Sequence, residues 1–348
     1  MKALRIVLLL AAAAALVNGV MGGLARLGNT PSLLIAIEHH GALMVAGFLG
    51  TVIMLERAVA LARPWAWLAP AITAAGTLAW LFGAETAGRI AWVAGSVVFV
   101  LASGAIVVRQ RAEHTMLLLI AAAALALGDV LFGMHGTGDA VLPWWITFLV
   151  LTIAAERLEM TRLMKRPRGA TTLLRAAVTA LLASALLSTW RFEGVVPFGA
   201  ALVGIAAWLL AYDLARRTLH TEGFSRYAAV ALLAGYAWLA VSGIAWAAAP
   251  FIEGLDDIAL HALTLGFVFS MIFAHAPLVV PVIARVRMAY TPAFYVPLGL
   301  LHASVAWRAA AIFLGGPDLY IAGLLNTAAI VIFVAVLLYR MRSRVGAD

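Results

Sequence analysis

Apolar runs of about 20 residues, parted by short polar stretches, follow one another along the chain. A helical run of that length matches the hydrocarbon core of a bilayer, and a window of about 19 residues resolves about twelve such spans. Their approximate limits are 4–24, 33–57, 65–83, 89–109, 115–133, 140–162, 171–190, 194–214, 227–248, 257–284, 292–314 and 318–340. The opening Met-Lys2-Ala-Leu-Arg5 with its alanine-rich run has the look of a signal peptide. No small-residue cleavage site stands out near Asn18-Gly19, so it is kept as the first span. The pattern predicts an all-α integral membrane protein, a single polytopic domain over 1–348.

The basic residues set the expected orientation. Lys2 and Arg5 precede the first span, and Arg57, Arg63, Arg109, Arg111, Arg162, Lys165, Arg166 and Arg168 follow the second, fourth and sixth. Arg216, Arg217, Arg226, Arg285 and Arg287 follow the eighth and tenth, and Arg340, Arg342 and Arg344 close the chain. All fall on one side. The other side holds little beyond Arg26, Arg89 and Arg191, with Glu38, Glu85, Asp139, Glu193, Glu253, Asp256 and Asp257. Lys and Arg collect in cytoplasmic loops, which predicts both termini in the cytoplasm of a bacterial inner (cytoplasmic) membrane and an even number of crossings.

An internal echo adds to this. Gly47-Phe48 and Glu56-Arg57 in the second span resemble Phe148 and Glu156-Arg157 in the sixth. In the tenth, Gly266-Phe267 takes the place of Gly47-Phe48, and His275 that of Glu56. Three pseudo-repeated four-helix units follow, of about 1–111, 112–217 and 218–348.

Composition narrows the chemistry. Of 348 residues 65% are hydrophobic and 11% charged, with a mean hydropathy of +1.03; soluble domains carry about 25% charged residues. The net charge of +8 then marks loops on one side of a membrane rather than a nucleic-acid surface. With no cysteine, disulfides, thiolate ligands and thiol nucleophiles are excluded. Any metal would rest on His, Met, carboxylate or backbone ligands.

Ionisable side chains inside such spans are costly, and each is a candidate site. His261 and His275 share the tenth span; on an α-helix they would point within roughly 40° of one another, about 21 Å apart. Pro277 and Pro281 are expected to break the backbone ladder beside them. Glu38-His39-His40 opens the second span, where adjacent residues diverge by about 100° and only one histidine can face a shared site. One histidine from each span, His40 and His261, would clamp a haem, with His39 as the alternate. A deeper pair, His275 with His302, lies near mid-bilayer and is expected to meet across neighbouring helices. Met271 and Met44, each a turn from a histidine, add thioethers suited to copper(I) or haem. Against these stands the plainer reading of snorkelling rings and rings bonded to carbonyls freed by proline. Glu56-Arg57 and Glu156-Arg157 are expected as interfacial ion pairs. Asp129 and His135 would line an outer-facing entrance or a solvated loop, while His114 and His220 fall in basic connections.

The segments His39-His40-Gly-Ala-Leu-Met-Val-Ala-Gly-Phe and His261-Ala-Leu-Thr-Leu-Gly resemble the histidine segments of the NnrS-type family, polytopic haem- and copper-associated proteins linked to nitric oxide response. Twelve helices in three arcs, with histidines on the second and tenth, also resemble the catalytic subunit of haem–copper oxidases. The resemblance implies His40 and His261 as ligands of a haem b, with copper also possible. The sixth and seventh spans lack the copper histidines of an oxidase, which argues against proton-pumping oxygen reduction. The function so implied is a membrane haem protein that binds or transforms a small diatomic such as nitric oxide, as an oxidoreductase, or passes electrons from a donor protein. The alternative is a proton-coupled transporter with buried histidines as relay. A transporter usually interrupts helices at corresponding places in its repeats, and the proline pair falls in one repeat only.

Overall fold

The computed structural model describes residues 2–28, 39–136, 138–162, 164, 166–284, 286–314 and 319–342. Glu38, Lys165, Arg285 and Arg344 lie outside the described residues. The structure is all-helical, with no strand among the described residues. Helices occupy each expected span: α1 (Lys2–Arg26), α2 (His40–Leu61), α3 (Leu68–Leu81), α4 (Glu85–Arg109), α5 (Glu113–His135) and α6 (Leu142–Met160). They continue as α7 (Ala170–Trp190), α8 (Val195–Tyr212), α9 (Gly223–Ala248), α10 (Leu255–Ala284), α11 (Tyr295–Leu314) and α12 (Leu319–Arg342). Among the described residues ten segments are long and apolar enough to cross a membrane, those of α3 and α6 being the exceptions. The reasons differ. With 14 residues, α3 spans only about 21 Å. In α6 the charges of Glu156, Arg157 and Glu159 dilute the apolar run, yet nearly every side chain from Pro143 to Leu158 is buried, as expected of a helix apolar all round.

The chain divides into two compact units, Met1–Glu159 with Ser188–Trp190, and Met160–Leu187 with Arg191–Asp348. Within each unit small residues let helices approach closely, as they do where packing rather than water drives association. In the first, a Cβ on Gly76 would lie 2.7 Å from the Ala91 Cβ, fixing α3 against α4. In the second, a Cβ on Gly199 of α8 or Gly243 of α9 would lie within 2.6 Å of the other's carbonyl oxygen.

Two helices depart from α geometry. Leu43–Gly50 of α2 and Ala262–Phe269 of α10 are π-helical, eight residues each. Aligned on Gly47-Phe48 and Gly266-Phe267, the segments coincide from end to end, while α6 is α-helical throughout. Contrary to expectation, Pro277 and Pro281 do not end the ladder: helix continues to Ala284 with both inside it. Pro277 still strips the Phe273 carbonyl of its usual donor. The buried Tyr227 hydroxyl of α9 replaces it, donating to that carbonyl at 3.2 Å. The wider π turn between His261 and His275 also removes the basis for their expected common direction, which assumed α geometry throughout.

Candidate functional site

In the second unit the first turn of α10 carries Asp257, four residues before His261. Arg308 of α11 reaches it with two parallel bonds, Nε donating to Oδ1 at 2.6 Å and Nη2 to Oδ2 at 2.7 Å. The guanidinium is buried, and planar two-point pairing of this kind fixes the carboxylate's plane as well as its charge. His261 Nδ1 lies 2.9 Å from the Asp257 carbonyl and 3.3 Å from its Oδ1. Both oxygens only accept, so Nδ1 carries a hydrogen, and in its neutral form the ring presents Nε2 as a lone pair. A ring anchored through one nitrogen with the other available is how metal-binding histidines are held.

His275 is anchored the same way, Nδ1 lying 2.7 Å from the Met271 carbonyl. His302 is the opposite case. Trp238 Nε1 of α9 donates to its Nδ1 at 3.0 Å, which places the ring hydrogen on Nε2, buried without a hydrogen-bond partner among the described residues. The Trp238 ring fits against Gly266 in the π segment, where a Cβ would come within 2.5 Å of it. The Nδ1 atoms of His275 and His302 therefore serve separate partners, and neither ring caps a carbonyl freed by proline. Met271 is core: its methyl fills a notch left by Gly235 of α9.

In the first unit His39 and His40 diverge, as adjacent residues should. His39 stands edge-on to Trp80, centroids 5.1 Å apart, and to Phe132 at 6.0 Å. His40 packs its ring against Gly23 of α1, and its Nδ1 is 3.4 Å from Arg26 Nη1. Arginine only donates, so this nitrogen accepts, the reverse of His261. Met44 fills the space beside Gly19 on α1, as Met271 does beside Gly235.

Arg57 is buried, and its Nη2 donates to Glu56 and Glu156, 2.9 Å to each. The two Glu-Arg echoes of the sequence thus meet in one cluster between α2 and α6. Asp129 is not in a loop but buried on α5, 2% exposed, accepting from Trp145 Nε1 at 3.1 Å. His114 likewise sits buried on α5 rather than in a connection. Among the described residues no three His, Asp or Glu side chains gather closely enough to hold a metal ion.

Arg308 and Trp238 are the residues of this arrangement that sequence reasoning passed over. An arginine in the apolar run Tyr295–Leu314 was a legible signal, since such a charge needs an acidic partner. Trp238 had no comparable signal, because its role depends on the missing side chain at Gly266.

Fold and residues together define a helical protein of membrane-crossing dimensions, with a histidine–aspartate–arginine arrangement at the head of one long helix. The chain belongs to the DUF8744 family, a domain of unknown function, whose family model matches residues 5–342. No curated protein and no solved structure matches it.

Proposed function

We propose that this is a multi-pass inner-membrane haem protein, with His261 as the axial ligand of a haem b and a small diatomic such as nitric oxide as its ligand or substrate. Twelve crossings, in three four-helix units with both termini cytoplasmic, are part of the proposal. One observation carries it: Asp257, clamped by Arg308, holds His261 by Nδ1 and leaves Nε2 as a donor atom. The donor set fits the group at that residue, and His275 has the same tautomer. His40 and His302 fit it less well, since their Nδ1 atoms accept hydrogen bonds. Iron would supply the site for the gas. A haem held there by one firm protein ligand would have room to bind a gas, which favours gas binding over electron transfer. Copper would have to draw on His275, Met271 and His302.

The test is the visible spectrum of the purified protein, oxidised and reduced, with and without nitric oxide. Haem bands that shift with nitric oxide, vanish in His261→Ala and persist in His40→Ala support the assignment. A colourless wild type grown with ample haem, or full bands in His261→Ala, would overturn it.

The second reading, proton-coupled transport, gains support from the matched π segments. Helix interruptions at corresponding places in two repeats are the feature that transporters use, and the proline pair had suggested that only one helix was interrupted. Proton movement into liposomes containing the protein, with no haem bands, is the result that would favour it.

A further inference from the structure

Asp129 is a carboxyl group with half its hydrogen-bonding capacity unused. It lies on α5, 2% exposed, beside Gly128, whose missing side chain leaves room for the Trp145 indole. That indole supplies the N–H on Oδ1, while the buried Oδ2 has no hydrogen-bond partner among the described residues. Ser96 of α4 is set beside the carboxyl, but its hydroxyl donates to the Val93 carbonyl at 3.0 Å.

Nor does a cation compensate. Arg89 of α4 pairs with Glu85 at 3.5 Å and lies over the rings of Trp80 and Phe132, 5.3 and 5.2 Å from their centroids. His39 stands edge-on to the same two rings. His135 closes α5, α3 has no titratable residue, and the charges of α6 begin at Glu156, three turns beyond Trp145. None of the described cations stands within ion-pair distance of Asp129. An isolated buried carboxylate is far more costly than a neutral acid, and a proton on Oδ2 removes that cost.

One turn along α5 from Asp129, a cleft of about 300 Å³ opens between α4 and α5, lined by Thr86, Arg89, Ile90, Val93 and Gly133. Four residues of helix separate Gly133 from Asp129, about 6 Å of rise. The geometry points to a proton-binding site: Asp129 holds a proton on Oδ2 and exchanges it through this cleft. The site stands apart from His261 and does not rest on the haem reading.

Infrared difference spectra of the full-length protein in lipid at pH 7 test it directly. Wild type minus Asp129→Asn should show the C=O stretch of a protonated carboxyl, moving on transfer into deuterium oxide. Carboxylate bands in its place overturn the proposal. Trp145→Phe reads the same group in a second variant: loss of the indole donor should shift the stretch to higher frequency, and an unmoved band means the acid lies elsewhere. A Cβ at Gly133 meets nothing within 4 Å, so Gly133→Val should fill the cleft and slow the isotope shift several-fold. An unchanged rate overturns the route.

Discussion

Four histidines that look alike in the sequence fall into two kinds once their Nδ1 partners are known. His261 and His275 give that hydrogen to a backbone carbonyl one turn back; His40 and His302 receive one from Arg26 and Trp238. The difference decides which ring can offer Nε2 to a metal, and no spacing rule could have supplied it. Candidate positions were legible, because an ionisable group in an apolar run stands out. Their roles were not, because a tautomer is set by a partner elsewhere in the chain. Arg308 shows the same limit from the other side: its cost was visible, and its partner some 50 positions away was not. A prediction belongs at this scale. Asp257→Asn strips the buried Arg308 of its counter-charge and should destabilise the protein by about 3 kcal/mol. Arg308→Met together with Asp257→Asn should recover most of that loss. Thermal unfolding of the two single variants and the double variant in detergent checks it, and simple additivity would argue against the pairing.

Among the elements, the twelve helical stretches were readable because each needs only a long apolar run. Departures from regularity were not. The prolines pointed to a break in α10 where none occurs, because Tyr227 supplies the hydrogen bond that Pro277 removes. The π segments left no mark that a hydrophobicity profile detects; they appear where Gly47 and Gly266 admit neighbouring helices, Ala15 and Thr77 beside one and Trp238 beside the other. The Tyr227 bond has a measurable signature. Tyr227→Phe should cost about 1 kcal/mol by leaving a buried carbonyl unpaired. In a Pro277→Ala background the restored backbone N–H takes over, and the same substitution should cost almost nothing. An equal loss in both backgrounds, again by thermal unfolding, would show that the hydroxyl acts otherwise.

Across the whole molecule, the charge bias proposes a topology that the absence of cysteine makes simple to test. Single cysteines at Arg168 and Arg216 should react with an impermeant maleimide only from the cytoplasmic face of membrane vesicles. Those at Asp139 and Glu193 should react only from the opposite face. Reaction of all four from one side would remove the twelve-crossing arrangement. The length of α3 does not threaten that arrangement, since a short helix packed among longer ones can sit where neighbours cover its ends.

The Arg57 cluster carries a consequence for how the protein is made. Arg57 lies next to Glu56 in the chain, but its other carboxylate arrives with Glu156, 99 residues later. At about 5–20 residues per second, a ribosome takes on the order of ten seconds to bridge that gap. Throughout that interval α2 is complete and its guanidinium has one of its two carboxylate partners, Glu56, so the link to α6 is still missing. The arrival of α6 supplies the second carboxylate, so this cluster can be completed only once that buried helix is made. Nascent chains halted before Glu156 are those that quality-control proteases should remove.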